Sequence, residues 1–153
     1  REASRRGNSP YSPDRVSRLL SEHRSADLCS LKEGVIRETL AVEMRFSADG
    51  RKTSHRFLRG RMRSAAKLSY REAQDAIDGR PNAKTTPLLP HVLEPLWAAW
   101  RTLDKARRAR NPLELDLPER LARIGEDGRI SSITLRERFD AHRLIEEFMI
   151  QAN

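Results

Sequence analysis

The sequence predicts a mixed α/β fold of the α+β kind, β-hairpins with packed helices, on three observations. Residues 36–46 set Leu40, Val42, Met44 and Phe46 at period two and lead into Asp49-Gly50, a pair suited to a hairpin turn because both residues tolerate positive φ. Residues 140–152 set Ala141, Leu144, Ile145, Phe148, Met149 and Ala152 on one helical stripe. Between them, Asp127-Gly128 separates two further strand-like runs. The length of 153 residues suits one domain, and 37% hydrophobic against 34% charged residues makes a core possible but thin.

The elements follow in order. Residues 1–34, rich in Ser, Pro and Arg, read as an extended arm, because Pro10 and Pro13 oppose a helix around Tyr11, and residues 35–153 hold the mixed strands and helices. A first hairpin pairs residues 36–46 with 51–62 across Asp49-Gly50. Ser69-Tyr-Arg-Glu72 is a capping-box pattern, which predicts a short helix to about Ile77, ended by Gly79. After a loop, Leu89, Val92, Leu93, Leu96, Trp97, Trp100 and Leu103 fall on one helical face. Pro95 requires that helix to start late or to kink. Residues 113–124 and 130–135 flank the second turn. Asp140 is the expected cap of the last helix, with His142, Arg143, Glu146 and Glu147 on or near its polar side.

No run approaches the about 18 apolar residues of a membrane helix, so a soluble protein without a membrane partner is expected. The lone Cys29 cannot form an internal disulfide, which favours a buried free thiol and a cytoplasmic setting. The chain opens at Arg1 with no signal-peptide pattern and stops directly after a periodic helix, as a piece of something larger would.

Charge is the first functional clue. The 30 Lys and Arg exceed the 22 Asp and Glu to leave +8, and the excess is clustered. Arg51, Lys52, Arg56, Arg59, Arg61, Arg63 and Lys67 occur with no acidic residue among them. Such a run repels itself unless it meets anions, and nucleic-acid phosphate is the partner it fits. Arg1, Arg5 and Arg6 form a smaller cluster. The group Arg101, Lys105, Arg107, Arg108 and Arg110 serves equally as a binding patch or as the cationic end of a helix.

Four blocks carry a resemblance. Arg6-Gly-Asn-Ser-Pro-Tyr11-Ser-Pro-Asp-Arg-Val16, then Asp27-Leu-Cys-Ser-Leu31, Arg63-Ser-Ala-Ala-Lys-Leu-Ser-Tyr70 and residues 140–153 resemble, in order, the central segment of the catalytic (RNB) domain of the ribonuclease II and ribonuclease R exoribonucleases, the ribonuclease R branch more closely. The resemblance covers nearly the whole chain. It implies degradation of single-stranded RNA from the 3′ end, processively, to nucleoside 5′-monophosphates, with Mg2+ at the active site. It also implies a polypeptide that includes cold-shock and S1 RNA-binding domains.

The same resemblance implies roles for residues. Tyr11 matches a tyrosine that stacks on a base near the 3′ end, a contact worth about 1–3 kcal/mol per base in any sequence. Tyr70 matches a second tyrosine that helps hold the terminal nucleotide, and its place at a helix N-terminus suits a nearby phosphate. Glu146 matches a glutamate that accepts from the sugar 2′-hydroxyl and so separates RNA from DNA. From the basic run, Arg59, Arg61, Arg63 and Lys67 are the expected contacts to the RNA backbone, with Glu147, Arg143 and Leu115 in support. Leu115 stands where some relatives place a phenylalanine opposite the first tyrosine. Without the resemblance, Tyr11 reads as an arm residue packed on its own domain and Tyr70 as a half-buried helix-start residue.

Pro10, Ser12 and Ser21 depart from the family pattern around the arm. None of the family's metal-binding aspartates is present, since Asp14, Asp27 and Asp49 are too scattered to replace them, and His142 with Glu146 makes only two of the three ligands a metal needs. The segment alone is therefore expected to cleave poorly or not at all. A noncatalytic RNA-binding module is the alternative, and a basic scaffold protein whose arginines serve assembly is a third possibility.

Overall fold

A computed structural model describes residues 7–9, 16–111, 120–125 and 129–153. Tyr11, Leu115, Asp14, the cluster of Arg1, Arg5 and Arg6, and the turn Asp127-Gly128 lie outside the described residues. Strands β1 (Ile36–Phe46) and β2 (Lys52–Arg63) make one antiparallel pair, and β3 (Arg120–Ile124) and β4 (Ile130–Leu135) make another. Three α-helices, α1 (Tyr70–Ile77), α2 (Glu94–Ala109) and α3 (Asp140–Ala152), complete the α+β architecture. None of the described helices is long and apolar enough to cross a membrane.

The helices make the core. Leu93, Trp97 and Trp100 on the α2 side meet Ala76 from α1 and Ala141 and Leu144 from α3, and Phe139, Phe148, Ile77 and Leu96 pack around them. Full burial of each large side chain contributes about 1.5–3 kcal/mol. The long apolar stripe begins as a 3₁₀ turn, Thr86–Leu88, continues as a π-helical turn, Leu89–Leu93, and becomes α-helical only at Glu94. Pro95 thereby falls at the second position of α2, at the junction where the π turn gives way to α-helix, which is how the run accommodates the proline. Val92, expected on the packed face, is exposed because the π turn rotates it outward.

Helix α1 begins as its capping box requires. Ser69 Oγ accepts from the Glu72 N–H at 3.2 Å, and Glu72 Oε2 accepts from the Ser69 N–H at 2.7 Å. Gly79, at φ 85°, follows its end. Helix α3 starts differently from the expectation. Asp140 is its first residue rather than its cap, and His142 Nδ1 accepts from the Phe139 N–H at 3.1 Å. A second helix-start amide, that of Ala141, donates to Gln74 Oε1 on α1 at 3.1 Å.

The buried face of α3 is also rotated from the predicted stripe. Ala141, Leu144 and Glu147 are buried, while Ile145 and Met149 are exposed. Glu147, at 2% exposure, lies inside because Arg107 Nη1 of α2 meets its Oε2 at 3.3 Å and Gln151 Nε2 donates to its Oε1 at 2.9 Å. Breaking such a buried pair by removing one partner is costly, which is what keeps both groups in place.

The β1–β2 hairpin is anchored at its two ends. At the turn, Gly50 is buried against α2 with φ 82°, and a Cβ there would come within 2.7 Å of both Ala106 Cβ and Thr102 O. Lys52 Nζ donates to Gln151 O at 2.6 Å, placing a cation at the C-terminal end of α3. At the open end, Gly34 N–H donates to Ser64 O at 2.8 Å. The Glu33 carboxylate accepts from the Lys67 N–H at 3.0 Å and approaches Lys84 Nζ at 3.6 Å. The predicted alternation gives β1 a shared side for Leu40, Val42 and Met44 but not a core, for Leu40 is 73% exposed.

Within the stretch expected as an extended arm, His23–Leu28 forms a π-helical turn. Asp27 holds it, pairing with Lys32 at 2.7 Å and Arg37 at 3.0 Å, and these cations keep its carboxyl below the usual range, the Lys32 hydrogen bond most of all. Cys29 is free but exposed, contrary to the burial expected of it, because it follows the end of that surface turn.

Candidate nucleic-acid interface

The antiparallel register sorts the cations of β2 by face. Arg59 pairs with Leu40, Arg61 with Glu38 and Arg63 with Ile36, so the three arginines share one side and stand about 7 Å apart in succession. None of the three makes an ion pair among the described residues, even though Glu38 stands across from Arg61. Arg56, on the other side, is spent on Glu43 at 2.7 Å. The arginine face also carries Phe57, 58% exposed, and His55, whose ring meets Phe57 edge-on at 5.7 Å between centroids. Sequence reasoning missed these two aromatics, although the period of two that aligns the arginines also aligns residues 55 and 57.

Beyond Arg63 the chain turns toward α1. Lys67 lies exposed in this connection with its amide fixed by Glu33. Tyr70 is the first residue of α1, 43% exposed, and its ring stacks on His142 of α3 at 3.9 Å with 23° between planes. His142 in turn lies 5.6 Å from the Phe139 ring, and the Arg71 guanidinium sits over Phe139 at 4.9 Å. Arg71 also meets Glu137 at 2.6 Å. The expectation that the start of α1 offers its field to a phosphate is modified here. The Glu72 carboxylate already occupies that end, held below its ordinary range chiefly by the Ser69 N–H.

Glu146 follows His142 by one turn of α3 and so lies along the same side of the helix. Its Oε2 accepts from Arg138 Nη2 at 2.6 Å, and its Oε1 has no partner among the described residues. Arg143 is exposed and engages Asp140 at 3.4 Å. Glu147, expected in support of Glu146, faces the core and Arg107 instead. Neighbouring helix positions are about 100° apart, and its buried ion pair commits it to that direction. The Arg101–Arg110 group is partly consumed by structure, with Arg107 on Glu147 and Arg108 on Asp104 at 2.8 Å.

The structure thus brings together Tyr70, His142 and the α3 side that carries Glu146, and it aligns Arg59, Arg61 and Arg63 on the strand leading there. Among the described residues no group of three or more His, Cys, Asp or Glu converges in a way that would hold a metal. His142 Nδ1 is already an acceptor for a backbone amide.

Comparison with known proteins follows the same lines. Ribonuclease R of Escherichia coli K12 is 38% identical over 155 residues, and ribonuclease R of Aquifex aeolicus is 36% identical over 156; both alignments cover 100% of this chain. The chain spans about a fifth of those relatives' lengths, 19% and 22%. In fold it is similar to the apo form of Mycoplasma genitalium RNase R, with a TM-score of 0.91 at 22% identity over 99% of this chain and 24% of that one. The Dss1 exoribonuclease of Candida glabrata superposes with a TM-score of 0.74 at 20% identity, over 99% of this chain and 21% of its own. The RNB domain matches residues 1–153, and with relatives of this identity along its whole length the chain belongs to the RNB domain family.

Proposed function

We propose that this chain is the RNA-gripping segment of the catalytic domain of a 3′-to-5′ exoribonuclease, one that hydrolyses single-stranded RNA processively to nucleoside 5′-monophosphates. The observation that carries the reading is Tyr70, half-exposed and stacked on His142, beside the α3 side that bears Glu146. A tyrosine held this way presents both a ring face for a base and a phenol that donates to a phosphate or sugar oxygen. The Oε1 of Glu146, without a partner among the described residues, accepts from a 2′-hydroxyl, which DNA lacks. Arg59, Arg61, Arg63 and Lys67 neutralise backbone phosphates on the approach, and Arg143 adds charge near the end. Tyr11 and Leu115 belong to this proposal through the resemblance alone.

Support also comes from relatives. Structures of Mycoplasma genitalium RNase R exist in complex with ribose-methylated single-stranded RNA and with double-stranded RNA. Mg2+, cold-shock and S1 domains and a cytoplasmic location form part of the proposal. In this proposal the segment contributes grip, and the ligands of the metal lie elsewhere in the polypeptide.

The test uses the full-length polypeptide with Mg2+ and matched RNA and DNA oligonucleotides. Glu146→Ala is expected to weaken RNA about tenfold or more while leaving DNA unchanged, the loss of one hydrogen bond to a charged acceptor. Tyr70→Ala is expected to change the length of the limit product. Equal losses on RNA and DNA with an unchanged limit product would remove both assignments. RNA that is bound but never shortened would favour the noncatalytic module.

A further inference from the structure

We infer that His142 is a positioning residue: its imidazole is the platform that sets the plane of the Tyr70 ring, and through it the hold on the RNA 3′ end. The inference rests on the proposed role of Tyr70 and extends it to a residue to which no role has been assigned.

Tyr70 begins a helix of eight residues and is 43% exposed, so nothing in α1 alone fixes its ring. The partner that does is 72 positions away in sequence, at 3.9 Å and nearly parallel. A platform is useful only if it is itself held. His142 Nδ1 accepts from the Phe139 N–H at 3.1 Å, which fixes the imidazole's rotation. The Phe139 ring lies 5.6 Å away on the same near-parallel plane, and Arg71, next to Tyr70 in the chain, closes the circuit over Phe139 at 4.9 Å. The bond from Ala141 N–H to Gln74 Oε1 then locks the start of α3 to α1, so both rings belong to elements that cannot slide past one another. One side chain therefore does two jobs, capping α3 with a nitrogen lone pair and presenting a flat face to Tyr70.

Two substitutions separate those jobs. Gln at this third helical position is an established acceptor for the amide preceding the helix, so His142→Gln keeps the cap and removes the platform. His142→Phe keeps a flat ring and removes the acceptor. In the full-length polypeptide, His142→Gln is expected to reproduce the limit-product change of Tyr70→Ala with little shift in melting temperature. His142→Phe is expected to restore the wild-type product while melting lower by about 2 °C or less, the effect of losing one cap in a domain larger than this segment.

Ring-current shifts of the Tyr70 ring protons, absent in His142→Gln and present in His142→Phe, would supply the direct signature. The inference is overturned if His142→Gln leaves the product unchanged while Tyr70→Ala alters it, or if both His142 variants alter it alike. If Tyr70→Ala itself changes nothing, the proposed role of Tyr70 fails first and this inference falls with it.

Discussion

The helical unit and the β1–β2 hairpin are held by different forces. In the helices, apolar side chains at helical spacing close on one another, and Trp97, Trp100, Leu93 and Leu144 are nearly free of solvent. In the hairpin every residue of β2 is exposed, and cohesion comes from the ladder, from cross-strand pairs such as Arg56–Glu43 and from anchors at the two ends. The difference teaches where stability and recognition reside. A buried face cannot meet a polymer, whereas a strand of a two-stranded ribbon with its side chains in solvent is free to offer them outward. Arg59, Arg61 and Arg63, without ion pairs among the described residues, occur on such a strand, and Arg107, paired with Glu147, occurs against the core.

That contrast breaks most severely at Trp97. Trp97→Ala is expected to remove about 3–5 kcal/mol, a large share of the about 5–15 kcal/mol that holds a typical domain, measured by denaturant unfolding. A loss below about 1 kcal/mol would mean that the helical unit is not the stable region. Next comes the buried pair. Arg107→Ala leaves the buried Glu147 charge with only the Gln151 amide and no cation and is expected to cost about 3 kcal/mol, and the double variant Arg107→Met with Glu147→Leu is expected to recover most of it in the same unfolding assay.

The anchors sharpen the comparison at an intermediate scale. Gly50→Ala forces a Cβ into both a left-handed backbone and the Ala106 contact, and is expected to cost about 2 kcal/mol. Hydrogen exchange should rise at the hairpin turn while the amides of α2 stay protected. Changing Arg59, Arg61 and Arg63 together to Gln is expected to leave stability within about 0.5 kcal/mol per site. The slope of log affinity for single-stranded RNA against log salt should fall by about 2, at about 0.7 per phosphate contact. An unchanged slope would show that the hairpin is not on the RNA path.

What could be read from sequence alone was local. Ser69 and Glu72 specify the start of α1 within four residues, and Asp49-Gly50 specifies the hairpin turn, since in both cases all partners are close in the chain. The face of α3 was not legible in detail. Hydrophobicity puts Ile145 and Met149 inward and Glu147 outward, but an arginine forty residues upstream reverses that choice by cancelling the buried charge. The Tyr70–His142 stack left no mark in either local pattern, because neither residue predicts the other's place. Tyr70 and Glu146 were found by resemblance, and the structure then supplied the setting in which each stands.

The two ends of the hairpin, fixed by Gly50 and Lys52 at one extremity and by Glu33 with Ser64 at the other, make it a beam resting on two supports. A two-stranded ribbon loaded in this way bends most easily at mid-span, here around Ala41–Leu58 and Val42–Phe57. The arginine row runs from that soft centre toward the support nearest Tyr70. A polyanion lying along it would act as a splint, stiffening the ribbon where it is otherwise softest.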